Sequence, residues 1–390
     1  MLFFLSHPIQ YFSPMLKELS KKVKLNVYYY SDISIKGGKD AGFGQNVKWD
    51  VPLLEGYNSF FLNNWRKKQA MNNRMFNAFN PGVIKVLLKS NDKIVVINGW
   101  SYFTDWIILL LSPFFGKKIW LRCENPLNQE LLKSGKVKLI KQLILKHFLF
   151  KLLIDKFLYI GSENKKFFEY YGVKEKSRLI FTPYSVDNDS LKKKYIELQP
   201  KREIIENKLG IQSNKKNILF TGKYISKKRP LDLLKAFKNL PQNNYNLIMV
   251  GEGELRKDME IFILNNNLSN VYLTGFINQS EIWEYYAVSD VFVMCSGIGE
   301  TWGLSVNEAM NFSLPVIVSS TCGSSFDLIV PGKNGFIFDE GDTSELSICI
   351  LKATENKEIT KSMGQQSAAI IKNYSISVVT DNILQAATCA

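Results

Sequence analysis

Gly299-Glu300-Thr301-Trp302-Gly303-Leu304-Ser305-Val306-Asn307-Glu308-Ala309-Met310 follows the short apolar run Val291–Cys295 and leads into an amphipathic stretch. The pattern reads as a strand, a turn and a helix that opens near Gly303. A glycine at such a turn lets backbone N–H groups reach an anion at the helix N-terminus. The two carboxylates stand eight residues apart, one in the loop and one about a turn and a half into the helix. Glu300 can therefore touch one end of a bound ligand while Glu308 touches another part of it. Acidic residues also favour any helix start, so taken alone the stretch fits a solvated helix equally well.

The same alternation of short apolar runs and amphipathic stretches extends outward in both directions, the signature of βαβ units and parallel sheets. In the second half the strands are Ile218–Thr221, Leu247–Val250, Val271–Leu273, Val291–Cys295, Val316–Ser319 and Phe336–Phe338. In the first half they are Leu2–Leu5, Leu25–Tyr30, Ile94–Ile97, Lys118–Leu121 and Phe157–Ile160, with helices at Pro14–Ser20, Phe103–Leu111, Val137–Leu153 and Glu163–Tyr171. Residues 31–73 are less regular. A Gly-rich piece (Gly37, Gly38, Gly42, Gly44) and the Trp49–Leu53 run suggest a long loop with a short hairpin. Residues 183–217 are polar and Lys-rich, broken by Pro183 and Pro200, and read as an interdomain connector. The fold class that follows is α/β, two Rossmann-like domains facing a central cleft, with ligands beyond the carboxyl ends of the strands. The expected boundaries are 1–185 and 186–374, with a C-terminal helix, 375–390, packing back on the first domain.

Composition narrows the function. The chain has 390 residues, 46% of them hydrophobic, which excludes wholesale disorder and a small stapled scaffold. Its net charge of +14 is uneven: residues 1–200 hold 32 Lys/Arg against 16 Asp/Glu, and residues 201–390 hold 18 against 20. One half faces something negative. The five cysteines (Cys123, Cys295, Cys322, Cys349, Cys389) are scattered and form no CxxC pair, which speaks against a disulfide framework or structural zinc and favours a reducing cytosol. The apolar start Met1–Leu5 lacks a preceding basic segment and reads as a buried strand. The apolar stretches Trp106–Phe115 and Leu139–Ile154 are too short or too charged to span a bilayer.

In the setting Ser-Asp-Val-Phe-Val…Gly-Glu-Thr-Trp-Gly-Leu-Ser-Val-Asn-Glu-Ala-Met…Leu-Pro-Val-Ile-Val-Ser, the Glu-x7-Glu pair resembles glycosyltransferase family 4, retaining enzymes of the GT-B fold that use nucleotide sugars. Three further stretches match in the right order. Gly222-Lys223-Tyr224…Lys227-Lys228-Arg229-Pro230 is similar to the family's donor-phosphate motif. Val250-Gly251-Glu252-Gly253 resembles its Val-Gly-x-Gly turn, and Leu273-Thr274-Gly275-Phe276-Ile277 resembles the strand and loop beside the base. The matches are dense over residues 217–340.

The resemblance implies that Lys223 and Lys228 neutralise the donor diphosphate, with Lys223 replacing the commoner Arg by a point charge. It implies that Ile277 meets the base, Glu308 the ribose hydroxyls and Glu300 the transferred sugar. Gly222, Gly251 and Gly253 join the donor-binding set, and Gly303 and Leu304 offer backbone N–H. The solvated alternative for Lys227, Lys228 and Arg229 is a basic surface turn; for Gly251 and Gly253 it is an ordinary strand-to-helix turn. In the first half the resemblance is weaker. His7, directly after the first strand, stands where many members have a Gly-rich loop, and is a catalytic candidate or a turn cap. Arg122 and Glu124 stand where many members carry a sugar-contacting histidine, and are acceptor or sugar contacts or simply an ion pair. Asp187-Asn188-Asp189 spells a manganese signature but sits at the connector, and reads as structural; no metal and no cofactor are expected.

The implied reaction is transfer of a sugar, from UDP more than GDP, to a glycan or lipid-linked acceptor with retained configuration, in bacterial surface polysaccharide or glycoconjugate assembly. The stretch Gly135–Ile154 carries Lys136, Lys138, Lys141, Lys146 and Lys151 among apolar residues, fitting either an anionic membrane surface or a core-packed helix with solvated lysines. The charge of the first half favours the former, and so a cytoplasmic protein peripheral on the inner membrane face. Rival readings are a sugar-nucleotide 2-epimerase of the same architecture and a basic binding protein. A nucleic-acid partner is not expected, since no binding module is recognisable.

Overall fold

The computed structural model describes residues 1–37, 39–40, 44–46, 49–66 and 75–388. The chain divides into two compact units: Met1–Gly38, Val51–Tyr184 and Ile376–Ala390 form the first, and Lys39–Asp50 with Ser185–Ser375 the second. Fifteen strands occur among the described residues: β1 (Leu2–Leu5), β2 (Asn26–Tyr29), β3 (Lys39–Asp40), β4 (Gln45–Asn46), β5 (Asn58–Phe61), β6 (Ile94–Asn98), β7 (Lys118–Arg122), β8 (Lys156–Tyr159), β9 (Leu179–Phe181), β10 (Lys216–Thr221), β11 (Tyr245–Val250), β12 (Val271–Leu273), β13 (Val291–Met294), β14 (Val316–Ser319) and β15 (Gly335–Phe338).

The first unit is a parallel seven-stranded sheet in the order β5-β2-β1-β6-β7-β8-β9. Its central strands are apolar on both faces because helices cover both, as a parallel sheet requires. Leu2 and Phe4 join Val95, Ile97 and Phe150 in one core layer, while Phe3 and Leu5 join Leu16, Val96 and Trp120 in the other. The C-terminal helix Ile376–Thr388 seats Val379 and Ile383 in this second layer. Its Asp381 pairs with Lys22 at 2.7 Å.

The second unit is a parallel six-stranded sheet in the order β12-β11-β10-β13-β14-β15. Its core is built from Ile218, Phe220, Leu247, Met249, Val291, Val293 and Ile317 with residues of the flanking helices. The chain runs outward from β10 through β11 to β12, then returns to place β13 on the other side of β10. The reversal creates a switch point between β10 and β13, the position at which open α/β sheets bind their ligands.

Four readings need correction. Residues 183–217 hold two helices, Asn188–Leu198 and Arg202–Leu209, in place of a plain connector. Asp187 caps the first of these, accepting from the Ser190 N–H at 3.0 Å, a local role for the Asp-x-Asp. The hairpin lies at β3 and β4, not at Trp49–Leu53; Gly38 and Gly42 lie outside the described residues. Strands β5 and β9 join the sheet edges and were unread, β5 because its Asn-Ser-Phe-Phe is largely exposed and lacks a buried face. Finally, Val137–Leu153 is an α-helix, Lys136–Leu143, that continues as a π-helical stretch, Ile144–Leu153, and its lysines do not form a single solvated face. Lys141 turns inward to the buried Glu130, at 2.6 Å.

Candidate functional site

The loops that leave β10 and β13 flank the switch point of the second unit and are tied together there. Gly297 N–H donates to the Lys227 carbonyl at 2.9 Å. The β10 loop runs through Gly222-Lys223-Tyr224 into a short turn, Ser226–Lys228, before the helix Pro230–Lys238. Arg229, at that junction, has φ +49°, a left-handed conformation unusual for a residue with a side chain. It is held by ion pairs to Asp232 at 2.6 Å and Glu340 at 3.1 Å.

Lys228 and Lys227 both reach Glu300, which is 8% exposed. Lys228 forms a direct ion pair with it, and Lys227 lies at 3.6 Å. Burial alone would raise the Glu300 carboxyl; the Lys228 and Lys227 ammoniums outweigh it and hold the group below the usual carboxylate range. All three residues of the basic turn are ion-paired, Lys228 and Arg229 partly buried and Lys227 still exposed. Lys223 lies half-buried at the start of the same loop.

Gly303 opens the helix Leu304–Asn311 with φ +92°. A Cβ there would stand 2.4 Å from Met294 Sδ, so both conformation and space require glycine. The loop before it is fixed from within: Trp302 Nε1–H donates to Asn307 Oδ1 at 2.9 Å, and Cys322 Sγ donates to the Trp302 carbonyl at 3.0 Å. The first-turn N–H groups at Leu304 thus start from a rigid loop beside two lysines.

Glu308, 3% exposed, accepts from the Tyr286 hydroxyl at 2.7 Å. That hydroxyl also pairs with Thr221 Oγ1 at 2.9 Å, at the end of β10. Tyr286 went unread in the sequence, since Tyr285-Tyr286 on an amphipathic stretch looks like core. Its ring does stack on Phe312 and Phe292; only the fold reveals where its hydroxyl points.

Gly251 and Gly253 have a packing role. A Cβ on Gly251 would stand 1.9 Å from the Gly222 carbonyl oxygen, so the β11 turn lies directly against the β10 loop. Ile277 is half-buried in the loop after β12. Its neighbour Phe276 meets the Trp49 ring at 6.1 Å, and the Ser280 N–H donates to Asp50 at 3.0 Å.

In the first unit, His7 follows β1 at that sheet's own switch point, between β1 and β6. Burial pushes its imidazole down to about 4, so it is neutral near pH 7 and shares a 2.9 Å hydrogen bond between Nδ1 and Ser6 Oγ. Arg122 ends β7. Its guanidinium lies 4.8 Å from the Phe12 ring centroid and 4.6 Å from that of Tyr184, and it pairs with Glu124 at 3.0 Å. The Tyr184 hydroxyl donates to the same carboxylate oxygen at 2.6 Å. Arg122 and Glu124 are thus an ion pair in this structure. Among the described residues no cluster of three His, Cys, Asp or Glu side chains is arranged to hold a metal ion.

The family model described as Glycosyl transferases group 1 matches residues 201–369, the segment that contains both site loops. The alpha-monoglucosyldiacylglycerol synthase of Acholeplasma laidlawii is 29% identical over 178 residues, 44% of this chain and 43% of that one. The capsular polysaccharide biosynthesis glycosyltransferase CapM of Staphylococcus aureus is 24% identical over 220 residues, 55% of this chain and 52% of that one. The chain spans about half or less of the length of the curated relatives it matches. Among solved structures, Anabaena Alr3699/HepE in complex with UDP and glucose superposes with a TM-score of 0.73 over 100% of this chain and 99% of that one, at 15% identity. The two parallel-sheet units have the GT-B fold, and residues 201–369, which hold both site loops, are similar to the glycosyl transferases group 1.

Proposed function

We propose that the chain is a retaining glycosyltransferase that moves a sugar from a nucleoside diphosphate, uridine more than guanosine, to a hydroxyl of a glycan or lipid-linked acceptor. The observation that carries this reading is the buried Glu300 carboxylate flanked by Lys227 and Lys228 beside the Gly303 helix start. A cationic pair and a helix N-terminus suit a diphosphate, and a carboxylate at the same spot suits the hydroxyls of the sugar attached to it. A lysine ammonium has three N–H donors, so Lys228 can hold Glu300 and a phosphate oxygen together.

In this reading Lys223, Lys228 and the backbone at Gly222, Gly303 and Leu304 stabilise charge that builds on the diphosphate as the bond to the sugar breaks. The acceptor oxygen attacks the same face, and its proton passes to the leaving phosphate oxygen. Glu308 receives the ribose hydroxyls, Ile277 lies against the base, and Gly251 and Gly253 keep the β11 turn close to the phosphate loop. His7 acts as a neutral hydrogen-bonding group toward a sugar hydroxyl, with Arg122 and Glu124 as further contacts. The lysines supply the positive charge that a metal ion would otherwise bring, so the reaction proceeds without metal or cofactor. The relatives' names, a glucosyldiacylglycerol synthase and a capsular polysaccharide glycosyltransferase, support a lipid or glycan acceptor, bacterial surface assembly and work at the cytoplasmic membrane face.

The test is a thermal-shift screen of nucleotide sugars followed by turnover of the best stabiliser. A UDP-sugar should raise the melting temperature and release UDP only when acceptor is present, and Lys228→Ala should cut kcat by orders of magnitude. Absence of any stabilising nucleotide sugar would sink the proposal, and acceptor-independent conversion of the sugar would replace it with an epimerase.

A further inference from the structure

In ordinary packing a helix turns its apolar residues inward and its lysines out. The Lys136–Leu143 helix and its π-helical continuation instead turn a row of apolar residues outward and Lys141 inward. Leu139, Leu143 and Leu152 are 63%, 61% and 63% exposed, and Ile140, Ile144 and Phe148 are exposed beside them. The inner face is supplied separately, by Leu145, Leu149 and Phe150. The row Ile140, Ile144, Phe148, Leu152 recurs every four residues, which in an α-helix drifts by about 40° per step. The wider turns of the π-helical part take that drift back and keep the row on one side.

A buried acid sets this rotation. Glu130, 1% exposed, binds Lys141 at 2.6 Å and Lys133 at 2.8 Å and accepts from the Tyr171 hydroxyl at 2.7 Å. The Lys141 ammonium also lies 5.3 Å from the Phe167 ring centroid. Drawing Lys141 inward turns its neighbours Leu139, Ile140 and Leu143 toward solvent.

We infer that this face is a docking surface for an anionic lipid bilayer, lying in the interfacial plane. Charge complementarity selects the occupant. Residues 131–153 contain six lysines and no Asp or Glu; Lys133 and Lys141 pair with Glu130, while Lys146, His147 and Lys151 are exposed around Phe148 and Leu152. Apolar side chains with lysines at their margin suit the boundary between acyl chains and anionic headgroups. No helix of the described residues is long and apolar enough to cross a membrane, so the face rests on the bilayer. A second copy is a poor occupant, because an isologous contact would oppose the two lysine sets. The inference gives the proposed membrane-peripheral enzyme its contact surface, and rests on that reading only for its biological purpose.

The experiment is co-flotation of the full chain with vesicles of phosphatidylglycerol and phosphatidylcholine in equal parts, and with phosphatidylcholine alone. The wild type should float with the anionic vesicles in a salt-dependent way. Combining Leu139→Ser, Leu143→Ser and Leu152→Ser should weaken binding about a hundredfold, since each leucine loses its burial in the acyl boundary. Lys146→Gln with Lys151→Gln should weaken it about tenfold and flatten the salt dependence. All five side chains are exposed, so the urea midpoint of each variant should match the wild type. Failure of the wild type to float, or undiminished flotation of the leucine variant, overturns the inference. So does a dimer in sedimentation velocity that the leucine variant dissolves. The UDP-glucose thermal shift, measured on the same proteins, should be equal in all; its absence from all would count against the transferase reading and leave the flotation result standing.

Discussion

Replacing Lys228 with methionine keeps the side chain's length and removes its charge, leaving the buried Glu300 with the partly exposed Lys227, at 3.6 Å, as its neighbouring cation. Breaking a buried ion pair from one side costs about 3–5 kcal/mol, and the surviving lysine puts the expectation near the low end, about 3 kcal/mol. The sign of the pH dependence is the sharper test. In the wild type the lysines hold the Glu300 carboxyl below its usual range, so its contribution is present above an unfolded pKa of about 4.3 and is lost as pH falls through the lower folded value. In Lys228→Met, burial dominates and raises the folded pKa above the unfolded one. The variant should therefore gain stability relative to the wild type as pH falls from neutral to about 5. Urea denaturation of the wild type, Lys228→Met, Glu300→Gln and the double variant, followed by tryptophan fluorescence at both pH values, measures this. The double variant should recover most of the loss, giving a coupling of about 2–3 kcal/mol. A Lys228→Met deficit under about 1 kcal/mol at neutral pH, or one that acid leaves unchanged, would falsify the assignment of this pair as a buried electrostatic unit.

Three other substitutions probe the remaining parts. Gly303→Ala must accept φ +92° and a Cβ 2.4 Å from Met294 Sδ, so calorimetry should show a loss of about 2–4 kcal/mol together with loss of the UDP-sugar thermal shift. Tyr286→Phe keeps the ring stacking and removes the hydroxyl from Glu308 and Thr221; titration calorimetry should show UDP affinity falling several-fold, with a stability cost of about 1–2 kcal/mol. For His7 the folded pKa of about 4 lies below the unfolded value, so the unfolded chain binds the extra proton between them. Wild-type stability should fall by at most about 3 kcal/mol as pH drops from about 6.5 to about 4, and His7→Gln should remove that slope in urea titrations.

The second unit was legible because its strands are short apolar runs bounded by glycine turns, and each motif stands directly after one of them. Val271–Leu273 and Val316–Ser319 run where the pattern puts them, and the helix opens at Gly303 as read. The partners across loops were not legible. Glu300 and Lys228 are 72 residues apart, and nothing in either local stretch says that one is buried against the other. The same holds for Tyr286 and Glu308, where an aromatic residue that packs as core also positions a carboxylate. Edge strands failed for a different reason: β5 lacks a buried face, so it carries no periodic signal.

The Lys136–Leu153 segment shows how one distant residue can invert a periodic reading. Local spacing yields an apolar face and a basic face, and burial is normally assigned to the apolar one. Here two apolar rows exist on one helical segment, and a core has room for only one of them. Leu145, Leu149 and Phe150 take it, and Glu130 brings Lys141 in beside them. The choice depends on Glu130 being buried and held by Tyr171, a contact 41 residues long in sequence. Burial tends to raise the Glu130 carboxyl, but hydrogen bonds from Lys133, Lys141 and Tyr171 bring it down to about 2, so the anchor keeps its charge well below neutral pH. Glu130→Gln should release Lys141 to solvent and let the helix roll, so tryptic cleavage at Lys141 should accelerate and binding to anionic vesicles should weaken. A Glu130→Gln variant with wild-type cleavage and flotation would show that the leucine row faces outward without this anchor.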